Sequence, residues 1–243
     1  MAQSTSLIMM DSQEGVPSLG SRRLNLVHRR TIWLPTRLGT ICIALFLSIP
    51  LFWWCVCGES FLSLTERSPA DILVVEGWIG RDGMQAAGVE FAERGYRYIV
   101  AAGGQISDRP SEDHSSYAEM ADREFIRSGI PIDKIIIAPA KDTQNQRTYE
   151  SAVGVLRALR AKGITPKSLN VFTCGPHARR SRLVLSKVYG PGTEVGVISW
   201  VPAETETVSW WQSSERAKLM ITETAGYLFE FLLNSGRRSN SPS

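Results

Sequence analysis

Residues 71–104 read DILVVEGWIGRDGMQAAGVEFAERGYRYIVAAGG, and the alternation within them sets the architecture. Asp71–Val75 is a short run with almost no polar position, the pattern of a strand buried on both faces. Asp82–Arg94 has helical spacing and ends at Gly95, a residue suited to a left-handed C-terminal cap. Tyr98–Ala102 is a second apolar run, closed by Gly103 and Gly104. The unit then repeats. Helix Ser115–Ser128 leads to strand Lys134–Ala138, helix Gln146–Lys162 to strand Ser168–Cys174, helix His177–Val188 to strand Val195–Trp200, and helix Ser209–Leu233 closes the series. Apolar strands alternating with helices imply a parallel sheet covered on both faces. With right-handed crossovers, this predicts a Rossmann-like, doubly wound α/β fold around a mainly parallel five-stranded sheet.

Upstream, residues 38–58 read LGTICIALFLSIPLFWWCVCG without a charge. About 20 apolar residues span a hydrocarbon core of roughly 30 Å at 1.5 Å per residue. Bulky rings stand where a cleaved signal peptide would carry small residues, so an uncleaved transmembrane helix is expected. The predicted organisation is a basic tail over 1–37, the membrane helix over 38–58, a linker over 59–68, the α/β domain over 69–234 and a disordered tail over 235–243. The bilayer is thus an expected partner, through residues 38–57.

The net charge of +3 is unevenly spread. Residues 1–37 carry Arg22, Arg23, Arg29, Arg30 and Arg37 against Asp11 and Glu14, which leaves 22 basic and 22 acidic residues in the remainder. A nucleic-acid binder carries its excess on the folded domain, so no nucleic-acid partner is expected. The same asymmetry puts the N-terminus in the cytoplasm and the domain outside. Three of the four cysteines, Cys42, Cys55 and Cys57, fall in the apolar segment, and Cys174 stands alone. Neither a disulfide framework nor zinc spacing is present. His28, His114 and His177 are too scattered for a metal cluster, and no metal is expected.

In doubly wound folds, ligands bind outside the carboxyl ends of the strands. Glu76 and Gly77 follow the first strand, and Gly103-Gly104 follow the second. DTQNQRTYE (142–150) follows the third strand and runs into a helix, with Arg147, Thr148 and Glu150 at its start. Gly175-Pro176-His177-Ala178-Arg179-Arg180 follows the fourth. Positive charge at a helix start opposes the macrodipole and calls for a compensating anion. GxGxxG is missing, so the dinucleotide fingerprint is absent, although a nucleotide-like ligand stays open.

Gly103-Gly104, Arg147-Thr148-Tyr149-Glu150-Ser151-Ala152 and Gly175-Pro176-His177-Ala178-Arg179-Arg180-Ser181, in this order over roughly residues 69–233, resemble the domain-of-unknown-function family that includes SanA, YdcF and ElyC. The resemblance implies a single N-terminal anchor in the bacterial inner membrane, a periplasmic or extracellular domain, and a role in the cell envelope and its peptidoglycan. Two departures touch the ligand-facing loops. Glu76-Gly77-Trp78 replaces a glycine-rich first loop, and Arg147 replaces an asparagine.

Two functions fit these residues. In the first, the protein acts on an anionic, phosphate-bearing small molecule or lipid-linked envelope precursor. Gly77, Gly103, Gly104, Arg147, Thr148, Arg179 and Arg180 then form the binding surface, His177 supplies acid or base chemistry, and Glu150 or Glu76 partners it. In the second, the same pocket belongs to a non-catalytic binding or scaffold module. Neither GxSxG nor another nucleophile motif is present.

Overall fold

The computed structural model describes residues 34–106, 116–143, 145–202 and 209–233. Arg22, Arg23, Arg29, Arg30, His28, His114 and the tail from 235 lie outside the described residues. The apolar runs form strands β1 (Ile72–Glu76), β2 (Tyr98–Gly103), β3 (Ile135–Pro139), β4 (Ser168–Cys174) and β5 (Glu194–Trp200). All four pairings are parallel, in the order β3-β2-β1-β4-β5. Successive strands walk outward from β1 to β3, and the chain then returns to lay β4 on the other side of β1. The switch point of this Rossmann-like α/β fold therefore lies between β1 and β4.

Side chains alternate across the sheet, and the helices divide accordingly. Leu73 and Val75 face α2 (Gly80–Arg94) and α3 (Tyr117–Arg127), where Met84, Ala87, Phe91, Ala121 and Phe125 complete one core layer. Ile72 and Val74 face α4 (Arg147–Ala161) and α5 (Ala178–Tyr189), packed with Ala152, Val155, Leu159, Val184 and Leu185. Neither layer needs a polar member, which is why these strands read as continuous apolar runs. Helix α6 (Ser214–Leu233) packs on the outer face of α5. The expected helices at 82 and 177 are each preceded by a short 3₁₀ turn, Gly77–Ile79 and Gly175–His177, which tighten the exits from β1 and β4.

Helix α1 (Arg37–Leu62) is long and apolar enough to cross a membrane. The chain divides into two compact units, 1–44 and 45–243. Within the second unit, the end of α1 and residues 59–68, expected as a linker, are packed. Leu62 is fully buried. Glu66 makes an antiparallel bridge to Val197 of β5, and the Ser68 backbone is held on both sides by the Asn170 amide. The segment from 63 to 69 thus runs against β5 from the carboxyl edge of the sheet to its amino edge, where β1 starts.

Candidate functional site

Glu76 is the last residue of β1, at the switch point, and only 4 % exposed. A buried carboxylate needs hydrogen bonds or an opposite charge, and Glu76 has both. Its Oε1 accepts from Ser181 Oγ at 2.8 Å, and its Oε2 from Thr173 Oγ1 at 2.5 Å and Trp78 Nε1 at 3.2 Å. His177 Nε2 lies 3.3 Å from the same Oε2. Burial alone would raise the Glu76 pKa, but the His177 charge and these bonds hold it below the usual carboxylate range.

His177, 5 % exposed, is clamped from its other side by α6. Its Nδ1 stands 3.0 Å from Glu223 Oε2 and also 3.0 Å from Arg180 Nη2. Only one of these contacts is a hydrogen bond to a protonated ring, since Nδ1–H donates and a guanidinium cannot accept. The carboxylate wins. Burial pushes the imidazole pKa down, but Glu76 and Glu223 together outweigh it and raise the value to about 9. Arg180 then pairs with Glu223 in bidentate fashion, Nε to Oε2 at 2.7 Å and Nη2 to Oε1 at 2.9 Å, and its Nη1 donates to Thr148 Oγ1 at 3.1 Å. Burial would raise the Glu223 carboxyl, yet His177 and Arg180 hold it at about 2. Two cations and two anions alternate, so the cluster is neutral as a whole.

Above this cluster opens a cleft of about 270 Å³. Glu76, Trp78 and His177 form its floor, Gly103, Gly104 and Tyr117 one wall, and Ala140–Thr143 with Arg147, Thr148 and Ser151 the other. Lys141 and Arg147 carry its uncompensated positive charge against Asp142. The first turn of α4 opens on the same space, where free backbone N–H groups favour an anion. A larger, more open groove of about 710 Å³ lies at the amino edge, between Asp71, Arg97 and Lys162, far from these groups.

The structure brings Glu76, His177, Arg180, Thr148, Arg147, Gly103 and Gly104 to one site, and leaves three predicted residues outside it. Arg179 turns away: its Nε donates to the Phe61 carbonyl at 2.5 Å and its guanidinium stacks 3.9 Å from the Phe61 ring. On a helix the neighbours Arg179 and Arg180 point about 100° apart, so they cannot share a pocket. Glu150 sits in the first turn of α4 but does not line the cleft, and the carboxylates on His177 are Glu76 and Glu223 instead. Gly77 is a packing glycine, since a Cβ there would meet the Tyr117 carbonyl oxygen at 2.2 Å. Gly103 combines both roles: it lines the cleft, and a Cβ would meet Tyr117 Cβ at 2.6 Å. Burial first, then the Glu76 charge, pushes the Cys174 thiol up, against a nucleophilic role.

Sequence reasoning missed Glu223, Thr173 and Ser181. The first had a signal. Arg180 and Lys187 on α5, and Glu223 and Glu230 on α6, are each seven residues apart, and they pair as two rungs, the second from Lys187 Nζ to Glu230 Oε2 at 3.5 Å. Matching opposite charges two turns apart on two helices mark a shared face. Gly226 lets the rungs close, because a Cβ there would meet Arg180 Cδ at 2.9 Å. Among the described residues, no group of three or more His, Cys, Asp and Glu is arranged to hold a metal ion. Compared with family models, curated proteins and solved structures, the chain matches none of them.

Proposed function

We propose that the protein is a membrane-anchored envelope protein of the SanA, YdcF and ElyC type, and that its switch-point cleft binds or acts on an anionic, phosphate-bearing small molecule or lipid-linked precursor. In this reading the N-terminus is cytoplasmic and the domain lies outside the bacterial inner membrane. One observation carries the ligand class. Lys141 and Arg147 flank the cleft against the single carboxylate of Asp142, above a floor whose buried charges cancel, and the α4 N-terminus opens on it.

The second reading, a binding module without turnover, has its own support. Both ring nitrogens of His177 are committed to carboxylates, and Glu76 already accepts from Thr173, Ser181 and Trp78. Chemistry at His177 requires a ligand to displace one of these contacts. Calorimetric titration of the detergent-solubilised full chain with phosphorylated envelope precursors tests both readings, with turnover followed in parallel. Binding that weakens in a Lys141→Gln, Arg147→Gln double variant is expected. A chain that binds none of the panel overturns the ligand class, whereas binding without turnover assigns the non-catalytic role.

A further inference from the structure

Helices α5 and α6 run in the same direction, because Arg180 meets Glu223 and Lys187 meets Glu230. Helix α5 leaves the carboxyl end of β4 and returns toward the amino edge, so α6 also starts at the carboxyl edge. The end of α1 follows α6 in order. The Phe61 ring stands on Tyr227 at 5.8 Å, Glu59 pairs with Arg216, and the Cys55 carbonyl accepts from Trp210 Nε1 at 3.0 Å. Each step back along α1 is thus a step back along α6, up to and past the carboxyl edge. Glu59 itself lines a cavity of about 260 Å³ with Cys174, Gly175, Pro176, Val201 and Pro202, the exits of β4 and β5. Residues 45–54, in the same compact unit as the sheet, therefore project from the edge on which the cleft opens.

A second observation agrees. Trp53 is 48 % exposed and Trp211 51 %, and Trp210 connects them to the level of Cys55. Tryptophans gather in this way at the boundary between hydrocarbon and headgroups. From Trp54 to Phe61, beside the start of α5, is a rise of about 10 Å along the helix. The headgroup layer occupies roughly 5–8 Å per leaflet beyond the hydrocarbon. The carboxyl edge then lies at or just above that layer, with Trp78, 39 % exposed, at the floor of the cleft.

We infer that the cleft faces the bilayer in which α1 is anchored and takes the phosphate of a lipid headgroup from that membrane, between Lys141 and Arg147. This rests on the anionic-ligand reading above and specifies the source of the ligand. The site then needs no lid or hinge to reach the surface, since residues 45–54 of α1 and the cleft share one end of the domain.

Two positions on opposite edges test it. Gln105 lines the cleft, and Lys162 lines the amino-edge groove; both are exposed, so replacement leaves the core intact. Benzoylphenylalanine is placed at either position in the full chain, reconstituted in nanodiscs of phosphatidylcholine with or without phosphatidic acid and irradiated. The expected result is a lipid adduct from Gln105 and none from Lys162, with phosphatidic acid enriched in the adduct over its share of the bilayer. That enrichment is lost in the Lys141→Gln, Arg147→Gln double variant. Adducts from Lys162 alone, or equally from both positions, overturn the orientation. Adducts from Gln105 that ignore the headgroup overturn the phosphate assignment. Titration of the detergent-solubilised chain with inorganic phosphate separates the two levels: phosphate bound in the cleft with no lipid adduct leaves the anion reading standing and overturns this one.

Discussion

At the amino end of the sheet, Asn170 reaches into the chain at Ser68, accepting from its N–H at 2.9 Å and donating to its carbonyl at 2.8 Å and to Tyr96 Oη at 2.9 Å. Tyr96 leads on to Glu90, which Arg67 grips with two bonds of 2.7 and 2.9 Å. At the carboxyl end, Glu76, His177, Glu223 and Arg180 form an equally continuous network. The amino-end network imitates a β-ladder with a side-chain amide and pins one segment of chain, with Gly196 left bare because a Cβ would meet Asn170 Oδ1 at 1.9 Å. The carboxyl-end network buries alternating charges where apolar residues of equal volume would hold the fold as well, and it alone floors a cleft at the switch point. Continuity of buried bonds is therefore no mark of a site; concentrated charge beside open space is.

The two networks differ most at Glu76. Replacing Glu76 by Ala leaves the His177 cation buried without one of its two counter-charges and should cost about 3–5 kcal/mol in denaturant unfolding. A loss as small as that of a surface variant would mean that the charges are not held as described.

The pH dependence separates the two networks next. Glu223 sits at about 2 against an ordinary 4.5, so its contribution is complete above about 4.5 and is lost as pH falls toward 2. His177 sits at about 9 against an ordinary 6.5, so its contribution is complete below about 6.5 and is lost as pH rises through 9. The alkaline arm should amount to something on the order of 3 kcal/mol. His177→Gln removes that arm, whereas Asn170→Ala leaves it in place; thermal unfolding across pH 5–10 reads both.

Asn170→Ala itself strips the Ser68 backbone of two partners and should cost about 1–3 kcal/mol, without change in ligand affinity. A change in cleft binding would join networks that are separate here. Arg179→Ala removes one hydrogen bond and a cation–π contact at the end of α1, about 1–2 kcal/mol, and should likewise spare the cleft. The smallest effect is expected at Arg147. Exposed on the cleft wall, it should lower phosphate affinity roughly two- to fivefold when changed to Gln and leave stability within about 0.5 kcal/mol.

The sheet was legible from residues 71–200 because each strand lies between two helical layers and can carry almost no polar side chain. The glycines at 95, 129 and 163 marked helix ends for a local reason, positive φ just past the last turn. The loops after β1, β3 and β4 were legible because a parallel sheet presents its ligand at strand ends, which are sequence positions. What those residues do was not legible. Arg179 and Arg180 are neighbours in the chain, but helical geometry sends one to Phe61 and the other to Glu223. Glu150 satisfied every local criterion for a His177 partner, yet the sheet order placed Glu76 nearer, and α6 brought Glu223 from 46 residues beyond His177. Periodicity and strand-end rules act within one element and survive without neighbours. Which carboxylate reaches an imidazole, and which edge of the sheet the end of α1 meets, depend on how separate elements pack, and only the folded chain holds that information.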